Sequence, residues 1–226
     1  MKPKSVVING DCLEAMREMP DNAFDLAIVD PPYGIGASRP TNYARIAIKY
    51  SRDTDRKWDS ITPSTEYFQE LRRVSINQVI CGANYFSLHL PPSMGWVSWF
   101  KSVEMMGRCF SEIELIYTSF NVRARQFEYR PNLTREGRIH PTQKPVALYK
   151  WLLKTYAKPG DTILDTHLGS QSSRIAAWDL GFDFTGYELD PDYFREGNER
   201  FEQHRAQGNL FAPDDTPKPT QGGLFG

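Results

Sequence analysis

The clearest indication of fold class is the stretch FDLAIVDPPY at residues 24–33. Its first six residues are apolar except for Asp25, a composition typical of a strand that is buried on both faces of a parallel sheet. The strand prediction ends at Asp30, because the two prolines that follow have no N–H to donate to a neighbouring strand. A predicted strand at 6–9 and a predicted helix at 13–19 precede this stretch. The first 33 residues therefore predict a β-α-β unit.

The rest of the chain continues this alternation of strands and helices. Further strands are predicted at 78–81, 95–100, 112–120, 162–164 and 184–188. Helices are predicted from Thr62-Pro63 to about 74, from Pro145 to about 156, at 172–180 and at 192–204. Together these seven strands predict an α/β fold built on one doubly wound, mostly parallel sheet.

Two polar, basic segments and a biased tail divide the chain. We expect one domain at residues 1–205, with a basic loop at 34–57 and an arginine-rich segment at 121–138 as insertions. The tail at 206–226 is rich in Gly, Pro, Gln and Asp, so we expect it to be disordered. Ligands of doubly wound sheets bind at the carboxyl ends of the strands, so the residues that follow each strand are the candidates for function.

Composition excludes several classes of protein. The 226 residues include 27 Lys+Arg and 28 Asp+Glu, so any affinity for nucleic acid must come from local patches. The three cysteines, Cys12, Cys81 and Cys109, form no C-x-x-C pair, and we predict neither a disulfide framework nor a metal site. The first eight residues lack the apolar stretch of a signal peptide, and no run approaches the about 20 apolar residues of a membrane span. We expect a cytoplasmic protein with no membrane partner.

The tetrapeptide Asp30-Pro31-Pro32-Tyr33 predicts a cluster of hydrogen-bond acceptors. Two prolines remove two donors, so a carboxylate and carbonyl oxygens are expected at the sheet edge with no internal partner. The exocyclic amino group of a nucleobase could donate to them, and Tyr33 offers a flat face for stacking. The same residues also fit a proline turn that closes a strand, with Tyr33 at its rim.

A second predicted β-α-β unit indicates a nucleoside-containing cofactor. Asp165 begins a glycine-bearing turn, and Glu188 follows it by 23 positions, at the end of the next strand. An acidic residue about 20 positions after such a turn is well placed for ribose hydroxyls. Gln171 stands where a second glycine is expected, which disfavours a dinucleotide and favours a cofactor without phosphate.

Three motifs in this order resemble those of the β-class DNA amino-methyltransferases. They are Asp30-Pro31-Pro32-Tyr33, then His140-Pro141-Thr142-Gln143-Lys144-Pro145, and finally Leu164-Asp165 and Gly169-Ser170 with Tyr187-Glu188-Leu189-Asp190. The resemblance covers about residues 5–205 and is greatest to small, stand-alone adenine methyltransferases of phages and prophages. It implies a seven-stranded Rossmann-like methyltransferase sheet with a circularly permuted motif order, and S-adenosylmethionine as the cofactor.

The resemblance also implies roles for individual residues. Asp30 and the Pro31 carbonyl would accept hydrogen bonds from the target amino group, Pro32 completes the motif, and Tyr33 would stack on the flipped base. The cofactor would lie among the residues Asp11, Cys12, His140, Thr142, Gln143, Lys144, Asp165, Gly169, Ser170 and Glu188.

Within that set, the resemblance separates the parts of the cofactor. Asp165 and Gly169 would border its methionine part, with residues 140–144 closing over it, while Glu188 would hold the ribose and Asp11 with Cys12 the adenine. The family's Asp-Pro-Phe-x-Gly-Ser-Gly is replaced here by residues 165–171, Asp-Thr-His-Leu-Gly-Ser-Gln. We predict that His167 packs or lines the rim and is not a base.

The expected activity is site-specific DNA methylation at adenine N6, toward which Asp30 as the first motif residue leans by resemblance. Cytosine N4 is the alternative within the same class. A third hypothesis is a catalytically weak DNA-binding or clamp-tethered protein, suggested by Gln171. Methylation at cytosine carbon 5 requires a cysteine nucleophile, generally in a Pro-Cys context, and none of the three cysteines follows a proline.

Double-stranded DNA is the expected macromolecular partner. The two basic segments carry the candidate contacts Arg39, Arg45, Lys49, Arg52, Arg123, Arg125, Arg130 and Arg135. The alternative is that both segments are solvated loops. The sequence leaves the oligomeric state open between monomer and homodimer.

The tail contains two copies of the pattern Gln-x-x-Leu-Phe. They are Gln207, Leu210 and Phe211 in one copy and Gln221, Leu224 and Phe225 in the other. The pattern resembles the short peptide that docks bacterial replication and repair proteins into the groove of the ring-shaped sliding clamp, and two copies raise the effective concentration. The alternative is that the first copy packs the end of the last helix against the core.

Overall fold

The computed structural model of the chain describes residues 2–36, 59–101, 111–130, 138–140 and 142–210, with no side chains for 208–210. The described residues form one eight-stranded sheet in the order β1-β8-β7-β2-β3-β5-β4-β6. Its strands are β1 (Ser5–Asn9), β2 (Phe24–Val29), β3 (Ser75–Cys81), β4 (Trp96–Phe100), β5 (Ile113–Thr118), β6 (Arg125–Glu128), β7 (Thr162–Asp165) and β8 (Asp183–Glu188).

Five α-helices of the described residues connect or flank these strands. They are α1 (Cys12–Glu18), α2 (Thr65–Val74), α3 (Val146–Tyr156), α4 (Ser172–Leu180) and α5 (Pro191–Leu210), with 3₁₀ turns at Ala83–Tyr85 and Ser87–His89. The Asp11 carboxylate caps α1 by accepting from the Leu13 N–H, and the Ser64 hydroxyl caps α2 by accepting from the Tyr67 N–H.

Strand direction changes in the middle of the sheet. The neighbours β1, β8, β7, β2 and β3 all run parallel, whereas β5 is antiparallel to both β3 and β4. The start of β5 therefore lies at the edge where β3 and β2 end. This reversal determines which residues of β5 reach the edge formed by the carboxyl ends of β2 and β3.

The core lies on both faces of the sheet, as the apolar run of β2 predicts. Leu26 and Ile28 pack on one face with the apolar sides of α3 and α4. Ala27 and Val29 pack on the other face with α1 and α2. Asp25 interrupts the run because its carboxylate accepts from the Thr162 N–H and hydroxyl, both at 2.8 Å, and so ties β2 to β7.

The structure confirms the doubly wound, mostly parallel α/β sheet and corrects several details. The predicted count of seven strands is wrong, because β6 forms inside the polar segment 121–138 and pairs parallel to β4. α2 begins at Thr65 with Ser64 as its N-cap, whereas the predicted helix begins at Thr62-Pro63. The last helix continues to Leu210, six residues beyond its predicted end at 204. Within the part of the chain that the structure describes, no helix combines the length and apolar character needed to cross a bilayer.

Candidate active site

Three predicted residues meet at one edge of the sheet. Glu188 ends β8, Asp165 ends β7 and Asp30 follows β2, and these three strands are neighbours that run parallel. Adjacent strands lie about 4.8 Å apart, so Glu188 and Asp30 are separated by about 10 Å along this edge. Asp165 interacts electrostatically with both of them. The motif that contains Asp30 and the motifs that contain Asp165 and Glu188 therefore lie at one site.

Asp30 belongs to a buried cluster of charged and polar groups, which we call the acceptor cluster: Asp30, Tyr33, Glu114 and Lys144. The Lys144 ammonium lies 2.5 Å from Asp30 Oδ1 and 2.8 Å from Glu114 Oε1. It also donates to the Tyr33 hydroxyl oxygen at 2.8 Å. That hydroxyl is 2.7 Å from both Asp30 Oδ1 and Glu114 Oε1. Each member of the cluster thus contacts the other three or is joined to them through Lys144.

The prediction that the Asp30 carboxylate has no internal partner is wrong, because Lys144 and Tyr33 both contact it. The sequence could not show this contact, since Lys144 lies 114 positions further along the chain. The backbone of the tetrapeptide does match the expectation. Among the described residues, none donates a hydrogen bond to the Pro31 carbonyl oxygen.

Glu114 was not predicted as a site residue. It is the second residue of β5, and the antiparallel direction of β5 brings it to the edge where β2 and β3 end. Its Oε2 also pairs with Lys101 at 3.3 Å. The available signal was a single acidic residue in the apolar run IELIYT at 113–118, but only the strand direction gives that signal a meaning.

The Tyr33 ring is held on several sides, and the prediction of an open stacking platform needs correction. The ring stacks on Tyr85 with centroids 4.9 Å apart and planes 13° from parallel, and the edge of Phe86 contacts it. Gly82, at φ +65°, lies so close that a Cβ atom there would overlap the Tyr33 ring. Glycine at this position therefore serves both the left-handed backbone and the close approach of the ring.

The pKa values of the charged groups in the acceptor cluster shift by different amounts and in different directions. Burial opposes ionisation of Glu114, but Lys144 and Lys101 outweigh burial and hold the pKa of Glu114 at about 2. Burial raises the pKa of Asp30, and its share of the Lys144 charge offsets this only in part. Burial also disfavours the charged form of Lys144, yet the two carboxylates outweigh it and raise the pKa of Lys144. Lys144 is therefore an ammonium shared by two acids.

A second group of acids, which we call the acidic region, consists of Asp11, Asp165 and Glu188. All three act electrostatically on the Cys12 thiol, so they surround one place at the start of α1. Within the described part of the chain, no salt bridge joins any of the three to a Lys, Arg or His side chain. Their partners are uncharged donors.

Those donors shape the predicted cofactor turn. Asp165 accepts from the His167 N–H at 3.0 Å and from the Ser173 hydroxyl at 2.5 Å. Glu188 accepts from the Gly169 N–H at 2.7 Å through Oε2 and from the Asp190 N–H at 2.9 Å through Oε1. A carboxylate offers about four lone-pair positions, so Glu188 retains capacity for further donors such as hydroxyl groups.

The pKa values of Asp165 and Glu188 shift upward, as burial without a neighbouring cation predicts. Burial raises the pKa of Asp165 to about 7 and also raises the pKa of Glu188. Burial and the Asp11 charge raise the pKa of Cys12 to about 12, and burial raises that of Cys81. Both thiols are therefore protonated near neutral pH, and neither is a nucleophile.

The two groups are linked by His140 and residues 142–144. The His140 ring faces Gly169, contacts Tyr193 edge-on with centroids 4.3 Å apart and lies within 3.2 Å of the Thr142 hydroxyl. The Gln143 side chain accepts from the Ile139 N–H at 3.0 Å. At the other end Lys144 enters the acceptor cluster. The resemblance assigns Lys144 to the cofactor, whereas the structure places its ammonium against Asp30.

Gln171 has the backbone of a glycine and a side chain turned to α5. Its φ is +58°, a left-handed conformation that suits glycine. The side chain accepts from the Arg174 guanidinium at 2.8 Å and lies against Gly197, where a Cβ atom would be only 2.7 Å from it. The missing glycine of the motif is thus compensated by a glycine in α5.

Two other residues of the turn have structural partners. The His167 ring lies edge-on to Tyr67 and 2.9 Å from the Thr166 hydroxyl, and burial lowers the pKa of His167 to about 4. It is therefore neutral near pH 7, which agrees with a packing role. The Ser170 hydroxyl lies 3.1 Å from the Ser172 hydroxyl, and its carbonyl accepts from Arg200, so Ser170 faces α5.

Part of the predicted DNA surface is described. Arg123, Arg125 and Arg130 are exposed on and beside β6. Gly34 and Gly36 at the start of the basic loop both bind Asp59 beyond it, so the loop begins and ends at one place close to Tyr33. Other predicted residues lie outside the described part of the chain: Arg39, Arg45, Lys49, Arg52, Arg135, Phe211, Gln221, Leu224 and Phe225, with the side chain of Leu210.

The chain is similar to known methylases. A family model described as DNA methylase matches residues 93–199. The chain is 26% identical to YubD, a candidate methylase of Escherichia coli (strain K12), over 92% of this chain and 97% of YubD. Both findings support a DNA methyltransferase.

Two solved structures share the fold. TTHA0409 from Thermus thermophilus, a candidate DNA modification methylase complexed with S-adenosyl-L-methionine, matches with a TM-score of 0.56 and 18% identity over 88% of this chain and 94% of TTHA0409. The cytosine-N4-specific PvuII DNA methyltransferase matches with a TM-score of 0.58 and 13% identity over 92% and 94%. At these identities the likeness concerns the fold alone.

Proposed function

We propose that the chain is a DNA methyltransferase that transfers a methyl group from S-adenosylmethionine to the N6 atom of adenine. The observation that carries this proposal is the juxtaposition, on one sheet edge, of the acceptor cluster and the acidic region. Asp30 and Glu188 lie two strand spacings apart, about 10 Å, with Asp165 between them.

The acidic region fits the proposed cofactor. S-adenosylmethionine carries a sulfonium and an ammonium group, and cationic ligands are favoured where buried carboxylates have no cation of their own. Glu188 has lone pairs left for ribose hydroxyls, and the positive φ of Gly169 keeps the turn close to His140 without a side chain. When bound, the cofactor supplies a methyl group already activated by the sulfonium.

The acceptor cluster fits the other reactant. An exocyclic amine is a weak nucleophile because its lone pair is delocalised into the ring. Asp30 and the Pro31 carbonyl can accept its two hydrogens, which favours a pyramidal nitrogen and directs the lone pair outward. The nitrogen loses one proton as the new bond to carbon forms, and we assign that proton to the Asp30 carboxylate, whose pKa burial raises. No covalent link to the protein is required.

The target base must leave the duplex before it can reach this edge. Tyr33 of the acceptor cluster stacks on Tyr85, which is 39% exposed. A base that stacks on the face of Tyr33 now covered by Tyr85 displaces that ring.

The decisive experiment measures transfer of a labelled methyl group from S-adenosylmethionine to DNA taken from an unmethylated host, followed by nucleoside analysis. We expect labelled N6-methyladenine. Labelled N4-methylcytosine would instead establish the alternative specificity. Absence of label in DNA, with DNA binding intact, would establish the catalytically weak DNA-binding protein.

The exposed arginines near β6 support a DNA-contacting role for this end of the sheet. Arg123→Glu with Arg125→Glu should weaken DNA binding and flatten its dependence on salt, because fewer counterions are released. Arg195→Glu with Arg205→Glu is the matched control, since both residues lie on α5, which packs at the opposite end of the sheet. Equal salt slopes for the two double variants would argue against the assignment.

The tail carries a separate proposal, docking to a bacterial sliding clamp. Gln207 lies in α5, so an extended first copy requires the end of that helix to unwind. Leu224→Ala with Phe225→Ala tests the second copy, and Leu210→Ala with Phe211→Ala tests the first. We expect Leu224→Ala with Phe225→Ala to abolish retention on immobilised clamp. Retention by a chain that lacks both copies ends the proposal.

A further inference from the structure

Glu114 takes no part in the proposed methyl transfer, although it is as buried and as closely bonded as Asp30. Its side chain is 12% exposed and that of Asp30 is 17% exposed. Both carboxylates contact the same two donors, the Lys144 ammonium and the Tyr33 hydroxyl. The question is what a second carboxylate does beside the one that receives the target base.

Competition for donors gives Glu114 a function. A carboxylate that already accepts from an ammonium and a hydroxyl is a weaker acceptor for any further N–H group, because its charge is neutralised. The Tyr33 hydroxyl has a single proton and two acceptors, each at 2.7 Å. It can therefore turn that proton from Asp30 to Glu114 with no movement of heavy atoms.

The same competition applies to Lys144. Its side chain is only 4% exposed, so its ammonium needs a carboxylate at all times. Glu114 provides one at 2.8 Å and stays ionised, since Lys101 holds its other oxygen at 3.3 Å. Lys144 can thus shift its hydrogen bonds toward Glu114 without becoming an unpaired buried charge.

We propose that Glu114 is a positioning residue of the methyl-transfer site: by competing for Lys144 and Tyr33, it leaves Asp30 free to accept the target amino group. This inference rests on the proposed function and deepens it. It assigns the site a balanced set of charges, with two carboxylates against Lys144 and Lys101, in which Asp30 is the member that changes partners.

A double-mutant cycle tests the proposal. Glu114→Gln leaves the whole Lys144 charge on Asp30, and Lys144→Met leaves two adjacent buried carboxylates that must share a proton. Each single variant should lower kcat about a hundredfold. The double variant removes one charge of each sign. Its loss in kcat should therefore be smaller, by about tenfold or more, than the product of the two single losses. A purely structural role predicts lower stability, with the kcat of the folded protein unchanged.

Three controls make the result decisive. Glu199→Gln removes an exposed carboxylate from α5 and should leave kcat unchanged. The Kd for S-adenosylmethionine should stay within about twofold of wild type in every variant, because the acidic region is untouched. If Glu114→Gln does not fold, Glu114→Asp is measured alone: it keeps the charge but shortens the reach to Lys144, so kcat should fall while the Kd for S-adenosylmethionine stays unchanged.

The outcomes separate this inference from the proposed function. Losses that multiply, or a Glu114→Gln variant with wild-type kcat, overturn the inference while methyl transfer by the wild type stands. No transfer by the wild type to DNA from an unmethylated host overturns the proposed function and the role of Glu114 together.

Discussion

The acceptor cluster and the acidic region both contain buried carboxylates at the same sheet edge. The two regions differ in the charges that surround those carboxylates. Glu114 and Asp165 are both deeply buried carboxylates, yet the pKa of Glu114 is about 2 and that of Asp165 about 7. Burial acts against ionisation in both. The difference is the ammonium of Lys144, which lies beside Glu114 and has no counterpart beside Asp165 in the described part of the chain.

In the proposed reaction, one sheet edge prepares two reactants in different ways. In the acceptor cluster the charges are already paired, so a neutral amino group can enter by exchange of hydrogen bonds. In the acidic region the negative charge is left for a cationic ligand to neutralise. Variants of the acceptor cluster should therefore change methyl transfer, and variants of the acidic region should change cofactor binding.

Asp30→Ala should have the largest effect. It removes the carboxylate acceptor of the amino group, so methyl transfer should fall by about a thousandfold or more. Cofactor binding, measured by calorimetry, should stay measurable with a Kd close to wild type. If turnover is retained, the role of Asp30 is wrong, and if cofactor binding is lost as well, the two regions are not separable.

Glu188→Gln should affect the other region by a smaller amount. Removal of the charge weakens hydrogen bonds from ribose hydroxyls, and charge-assisted bonds of about 1.5–3 kcal/mol correspond to about a 10–100-fold rise in the cofactor Kd. The value of kcat at saturating cofactor should be nearly unchanged. A variant with normal Kd and reduced kcat would place Glu188 in the chemistry and contradict the division.

The affinity for S-adenosylmethionine should rise with pH, by up to about tenfold between pH 6 and pH 8. Asp165 has a pKa of about 7 and carries its proton below that value, and a cationic ligand favours the ionised form, so binding releases the proton. His167, with a pKa of about 4, and Glu114, with a pKa of about 2, do not titrate in this range.

Asp165→Asn is the matched variant for this pH dependence. It retains an acceptor for the His167 N–H but cannot ionise, so its cofactor Kd should vary less with pH than that of the wild type. An equal dependence in both proteins would show that another group titrates.

Gly197→Ala should leave methyl transfer nearly unchanged and act on stability. A Cβ atom there meets the Gln171 side chain, and overpacking of this kind lowers the free energy of unfolding by about 1–3 kcal/mol. Adding Gln171→Gly should recover part of the loss, since it removes the obstructing side chain and suits the positive φ. Thermal unfolding of the two variants measures this. No recovery in the double variant would mean that Gln171 and Gly197 are not a compensating pair.

Much of the site could be predicted from the sequence because parallel strands present their ends at one edge. Asp30, Asp165 and Glu188 each follow a strand whose apolar run is visible in the sequence, and the structure brings the three together. The sequence also shows that Gln171 replaces the second glycine of the motif, but it does not show that Gly197 compensates for this replacement. That compensation depends on α5 packing across the turn, which local pattern does not encode.

The partners of Asp30 could not be predicted for a related reason. Lys144 belongs to a motif that the resemblance assigns to the cofactor, and Tyr85 and Gly82 follow β3 without any distinguishing spacing. Their positions around Asp30 and Tyr33 result from the order of β2 and β3 in the sheet, and strand order is a property of the whole fold.

The sequence by itself determined the fold class, the strands whose ends carry chemistry and the identity of the acids found there, because hydrophobic period and proline placement are local properties. The tertiary structure alone decided that Glu114 faces Asp30. A strand that runs antiparallel brings its beginning, and not its end, to the edge where its neighbours finish, and the direction of β5 follows from its pairing with β3 and β4. That single reversal places a second carboxylate beside Asp30 and gives Lys144 two partners.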